Sequence, residues 1–211
     1  MMAMESMATA TIQTAAPVTI PPPARQTWPP EQNRWTYQDW LRLPDDGFRY
    51  EVLNGELYLT PPPTIAHQNA ISELGTRMHG FARQANLGIV LLSPVGVQLP
   101  GQPVPVQPDL VFIRADRRDI LGENYVEGAP DLVVEVLSPS NWLYDRREKL
   151  LAYQQAGVPE YWIVDPRART VEVLVLEQGK YTLVNEFGSG ETATSQALPG
   201  FEIAVDDLFT L

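Results

Sequence analysis

Two carboxylates stand in runs of sequence that otherwise look built for burial. Residues 130–140 read PDLVVEVLSPS. In an extended chain Leu132, Val134 and Val136 fall on one face, and Asp131, Val133, Glu135 and Leu137 on the other. A Val-rich run of this length suits a central strand covered on both faces. There a carboxylate is costly unless a cation or hydrogen-bond donors meet it. Residues 104–113, VPVQPDLVFI, read as another strand, with Asp109, Val111 and Ile113 on one face. If the two strands pair they lie about 4.8 Å apart, and Asp109 and Glu135 at matching heights could share one cation. Carboxylates that close repel, and one tends to hold a proton. A bound Mg²⁺ or Mn²⁺ resolves the conflict, because hard divalent cations prefer oxygen ligands. The competing reading gives Asp109 backbone hydrogen bonds at a strand start and Glu135 a structural Arg. Asp131 is four residues from Glu135, roughly 13 Å along a strand, and is expected to bond a neighbouring backbone instead.

The stretch after that strand adds positive charge. YDRREKLLAYQQAG, residues 144–157, sets Arg146, Arg147 and Lys149 on the first turns of a helix expected over 143–156, stopped by Gly157. Lys149 and Tyr153 lie one turn apart on one face. A helix that starts beyond a strand's C-terminal end can carry Lys149 back over the strand-end carboxylates. There it could position a water or stabilise charge developing on a phosphate. Taken alone, Lys149 is better read as a surface partner of Asp145, four residues earlier.

Other elements must position these groups. A short opening helix is expected in WTYQDWLRLP, ending before Pro44. FRYEVLNGELYLTPPP predicts a hairpin turning at Asn54-Gly55. Residues 64–86 predict a helix with Thr64 as N-cap. His67, Ile71, Leu74, Met78, Phe81 and Ala85 form its apolar face, and His67 opens that face. Glu73, off this face, has Arg77 as a ready partner. IVLLSPVGVQL reads as one strand, residues 114–129 as a polar connection and PEYWIVDP as a strand with Asp165 as a turn residue. A hairpin turning at Gln178-Gly179 follows, then a strand and a last helical turn. The order implies a mixed sheet packed with helices, in the α/β or α+β range.

The 211 residues suit one folded domain after a tail over residues 1–34 rich in Ala, Thr and Pro. The tail's charges, Glu5, Arg25, Glu31 and Arg34, cancel, so the net charge of −11 belongs to residues 35–211. That argues against a broad phosphate-binding surface; any nucleic-acid role must rest on a local basic patch or on metal ions. With no Cys there is no thiolate nucleophile, disulfide or cysteine zinc site. No apolar run approaches the roughly 18 residues that span a membrane. A cytoplasmic location is expected. No Gly-rich phosphate loop and no nucleophile elbow is present.

From Trp35 to Leu211 the chain resembles the Uma-two family of restriction endonucleases, within the PD-(D/E)XK nuclease superfamily. The segments that carry the resemblance are YEVLNGELYLTPPPTIAHQ, QPDLVFI, APDLVVEVLSPSNWLYDRREKLLAYQQAGVPEYWIVDP and the acidic VDDLF end. The resemblance implies a restriction-endonuclease-like α/β core with a mixed sheet flanked by helices. It also implies Mg²⁺- or Mn²⁺-dependent phosphodiester cleavage, with DNA the first substrate and RNA the second, and a homodimer. By resemblance Asp109 matches the first strand acid and Glu135 the second. The Lys expected two residues after Glu135 is Leu137, and Lys149 from the following helix is the natural substitute. The family's HQ falls on His67 and Gln68, making His67 either a further ligand or proton shuttle, or a satisfied core histidine. Glu51 and Glu56, flanking the hairpin turn, also resemble family positions. Glu51 could be a third acid, though exposed hairpin acids are common and that reading is favoured. Two other functions stay open. One is an inactive homodimeric binding module, favoured by Leu137 and the acidic balance. The other is a hydrolase of small phosphate esters.

Overall fold

The computed structural model describes residues 28–60, 62–138 and 144–210. Of the segment expected as a tail, residues 1–27 lie outside the described residues, and Trp28 meets Trp35 edge-on with ring centroids 5.7 Å apart. The opening helix α1 is a single turn, Tyr37–Trp40, fixed by a capping box between Thr36 and Asp39. β1 (Arg49–Leu53) and β2 (Glu56–Thr60) form the expected hairpin. Asn54 and Gly55 both take positive φ, as the tight two-residue turn requires. This hairpin is a two-stranded sheet of its own.

α2 (Ile65–Gln84) comes next, with the Thr64 side chain accepting from the His67 N–H. Its buried face is His67, Ala70, Ile71, Leu74, Gly75, Met78 and Ala82. Ala82 is buried in place of the expected Ala85, because α2 ends at Gln84 and Ala85 is its exposed C-cap. The next expected strand is broken. β3 (Gly88–Leu92) stops at Ser93-Pro94, where Pro94 has no N–H for a ladder, and β4 (Val97–Gln98) lies elsewhere, paired with β6 (Val126–Glu127). β5 (Leu110–Arg114) and β7 (Leu132–Val136) are buried almost throughout. The polar connection between them holds β6 and a 3₁₀ stretch, Ala115–Ile120. The second helix opens as a π-helical turn, Tyr144–Lys149, before α3 (Leu150–Ala156), which ends at Gly157 in the left-handed region. Leu143 and the Asp145 side chain lie outside the described residues.

β8 (Glu160–Asp165), β9 (Thr170–Glu177) and β10 (Lys180–Phe187) complete a six-stranded sheet of order β10-β9-β8-β7-β5-β3. Within it β7 and β8 run parallel and the other pairs antiparallel, so the sheet is mixed. β11 (Thr192–Thr194) and β12 (Glu202–Ala204) pair near the C-terminus, ahead of a 3₁₀ turn, Val205–Leu208. Strand alternation divides the core in two. Phe112, Val134, Val136, Trp162 and Val173 pack under α2 and the C-terminal segment. Val111, Val133, Leu137, Tyr161 and Ile163 pack under α3, with Leu53 of the hairpin. This is the α/β layering that the order of elements implied. No helix among the described residues is long and apolar enough to cross a membrane.

The β3–β5 ladder helps to fix Asp109, because it continues into a Ser93 N–H donating to the Asp109 carbonyl. It begins at Gly88, opposite Arg114, where a Cβ would stand 2.1 Å from the Ile113 carbonyl oxygen and 2.9 Å from Arg114 Cα. Both are backbone atoms, so the strands would have to part. We expect Gly88→Ala to cost about 2–3 kcal/mol in urea denaturation; an unchanged midpoint would contradict this packing.

Candidate active site

The strand register brings the two acids together. β5 and β7 pair with Leu110 opposite Val134 and Val111 opposite Val133. One step further sets Asp109 opposite Glu135, and the Val136 N–H donates to Asp109 Oδ2 at 2.9 Å. Both carboxylates are buried, Asp109 to 4% exposure and Glu135 to 2%, so each depends on partners rather than on bulk water.

Those partners come from four other elements. Lys149, at the end of the π-helical turn, donates from Nζ to Glu135 Oε2 at 3.0 Å and lies 3.4 Å from Glu51 Oε2. Tyr153, one turn on in α3, donates its hydroxyl to Glu135 Oε1 at 2.6 Å. His67 of α2 places Nε2 3.3 Å from Asp109 Oδ2. Arg49 of β1 lies 3.7 Å from Asp109 Oδ1 and 3.4 Å from Glu51 Oε1, and donates to the Gln107 carbonyl. The Gln107 N–H in turn donates to Glu51 Oε1 at 3.1 Å. Arg49, Glu51, His67, Asp109, Glu135 and Lys149 all line one cleft of about 300 Å³, with Ser93, Pro94 and Ser138 among its other walls.

Three expectations are revised. Lys149 is 4% exposed and bridges two acids, so it is not a surface residue. Its helix starts close behind β7, which turns Lys149 and Tyr153 toward that strand. Glu51 is 3% exposed, not a hairpin surface acid, because the hairpin packs its Glu51 face inward against Gln107 and Lys149. Arg146 pairs with Glu172 of β9, so part of the positive charge expected after β7 is taken up there. Other readings hold. Asp131 accepts from the Arg114 N–H at 2.9 Å and from Arg117 at 2.8 Å. Glu73 pairs with Arg77 at the surface, and Asp165 accepts the turn N–H groups of Arg167 and Ala168. Sequence reasoning passed over Arg49, although it sits two residues before Glu51 and therefore on the same strand face. It passed over Glu160 too. That residue is a buried acid accepting from Trp162, Gln196 and Ala197.

Glu160 shows by contrast what is unusual in the cleft. Its donors are neutral groups that belong to the fold, whereas the cleft gathers like charges. With all five ionised, the three carboxylates Glu51, Asp109 and Glu135 face the two cations Arg49 and Lys149, leaving one negative charge before His67 is counted. Burial pushes the Asp109 carboxyl up, but the His67 hydrogen bond, the His67 and Lys149 charges and the Val136 N–H outweigh it and hold it below the usual range. Burial, then the Glu135 charge, pushes the Tyr153 hydroxyl well up, so it stays a donor. His67 Nδ1 is buried without a hydrogen-bond partner among the described residues. No three His, Cys, Asp or Glu side chains among those residues form a ready-made metal cage. Mg²⁺ does not need one, since it is commonly bound through one or two carboxylates together with waters and substrate phosphates. Buried oxygen donors with residual negative charge fit that mode.

Residues 37–206 match the model of a family described as "Uma2: Putative restriction endonuclease". Among solved structures the chain is similar to one from Anabaena variabilis described as "a putative nuclease belonging to DUF820". The TM-score is 0.67 at 19% sequence identity, over 82% of this chain and 97% of that one, a likeness of fold. Among curated proteins none matches this sequence.

The charge cluster makes two checks possible. Lys149→Met leaves Glu135 and Glu51 buried without their shared cation, and should cost about 3–5 kcal/mol in chemical denaturation. Tyr153→Phe should cost about 2 kcal/mol, the scale of one hydrogen bond to a charged group. Acid titration tests Asp109. Its folded pKa is depressed, so its contribution is full above the unfolded value, near 3.9, and is lost as pH falls through the lower folded value. Asp109→Asn should therefore flatten the acid limb of stability; a wild-type limb in that variant would contradict the assignment.

Proposed function

This chain belongs to the Uma2 family, whose model spans most of it, and on that premise we propose a metal-dependent endonuclease that hydrolyses phosphodiester bonds, with DNA as first substrate. The observation that carries the reading is the pairing of Asp109 and Glu135 on adjacent strands at a cleft, with Lys149 hydrogen-bonded to Glu135. In this reading residues 35–211 are one PD-(D/E)XK-like domain, and Asp109 and Glu135 hold Mg²⁺ or Mn²⁺. An ion held by them would supply Lewis-acid polarisation of the phosphate and a more acidic water.

The chain's own groups do the rest. Lys149 stands in for the motif Lys replaced by Leu137, which is packed in the core at 5% exposure. Its ammonium, already beside Glu135, stabilises charge developing on the phosphate. Tyr153 fixes the Glu135 rotamer through its hydroxyl. His67, in contact with Asp109, orients that carboxylate through Nε2. Glu51 and Arg49 set the charge around Lys149 and Asp109. A homodimer belongs to the same reading. Its support is the edge strand β10, which leaves Leu183 and Val184 about half exposed.

Buried Leu137 at the motif position also favours a second reading, an inactive homodimeric binding module of the same fold. A cleavage assay separates the two. Plasmid, single-stranded DNA and RNA would be incubated with Mg²⁺ or Mn²⁺ and with EDTA. We expect metal-dependent cutting, lost in Asp109→Ala and Glu135→Ala by more than the roughly 10- to 100-fold that loss of an outer partner costs. Variants that cut like wild type would sink the assignment. A folded wild type that cuts nothing and takes up no Mg²⁺ or Mn²⁺ by calorimetry would favour the binding module.

A further inference from the structure

We infer that the substrate strand is unpaired where it is cut, and that one of its bases stacks in an aromatic trough on Phe48 beside the cleft; the inference rests on the nuclease reading. The trough is an opening of about 540 Å³ lined by Trp40, Leu41, Pro44, Phe48 and Tyr50. It adjoins the catalytic cleft, and Arg49, Ser93 and Pro94 line both. A strand whose phosphate lies over Asp109 and Glu135 would pass Arg49 and deliver its neighbouring base to this surface.

The trough is built rather than incidental. Trp40 donates its indole N–H to the Tyr50 carbonyl at 2.9 Å and stacks on Tyr37, with centroids 5.8 Å apart and planes 22° apart. The Tyr50 hydroxyl donates to Asp46 at 2.7 Å. These bonds hold two aromatic walls in place while Phe48 remains 48% exposed and Leu41 54% exposed. An apolar surface left open beside a polar cleft calls for a flat, apolar occupant with a charged attachment.

Charge decides between a single strand and a duplex. A duplex is held mainly by many phosphate contacts to Lys and Arg. Among the described residues the two openings together offer Arg49 and Lys149 as cations, against Asp45, Glu51, Asp109 and Glu135. The whole chain carries a net charge of −11. Stacking on an aromatic side chain adds affinity for each base whatever the base, so a strand held partly by stacking needs fewer phosphate contacts than a duplex does.

The test is fluorescence anisotropy with a short labelled oligothymidylate and the same strand in duplex form, with Ca²⁺ in place of Mg²⁺. We expect the single strand to bind more tightly than the duplex. Phe48→Ala should weaken single-strand binding by roughly 5- to 100-fold, and Phe48→Trp should restore it. In cleavage, Phe48→Ala should raise KM more than it lowers kcat. Equal binding by Phe48→Ala and wild type, a preference for duplex, or no binding of either would each overturn the inference. Single-strand binding through Phe48 without any cutting would sustain the trough and remove the nuclease reading, so the two fail separately.

Discussion

Three carboxylates gathered in a low-dielectric cleft must be neutralised, and the Lys149 ammonium bridges two of them. It touches Glu135 from the central sheet and lies beside Glu51 from the separate hairpin sheet. Its charge also helps keep Asp109 ionised. Without a cation there, the register that sets Asp109 opposite Glu135 would place like charges side by side in the core. The π-helical turn that ends at Lys149 lies directly ahead of α3, and a local departure of this kind is common where a helix must aim a functional side chain.

The structure answers why a strand built for burial carries two acids on one face. Asp131 is met by Arg117 and a backbone N–H at one end of β7. Glu135 at the other end is met by Lys149 and Tyr153 at the wall of a cleft that also holds Asp109 and Glu51. The same strand thus carries one acid tied to a backbone N–H and an Arg, and one gathered with two further carboxylates.

Much of this was legible from the residues themselves. Asp109 and Glu135 stood out because the runs around them are so apolar, and Asn54-Gly55 and Gln178-Gly179 marked their hairpins through the backbone conformations they permit. Glu51 and Arg49 were harder. Their burial comes from the hairpin docking on Gln107 and Lys149, contacts between residues far apart in sequence that no local pattern reports. The break at Ser93-Pro94 was hidden by apolar residues on both sides of it. The length of the π-helical turn depends on one extra residue in a helical ring, and residue types do not specify that.

The hairpin has one more consequence. Glu51 and Lys149 are 98 positions apart in the chain (149 minus 51), yet they share a contact. Asp109, Glu135 and Tyr153 enter between and just after them. The cluster therefore cannot assemble until the chain through Tyr153 has been made and has folded back onto the hairpin. With the phosphodiester chemistry proposed for this cleft, the onset of reactivity would be tied to the completion of folding. A half-translated copy carries scattered acids and no assembled cluster.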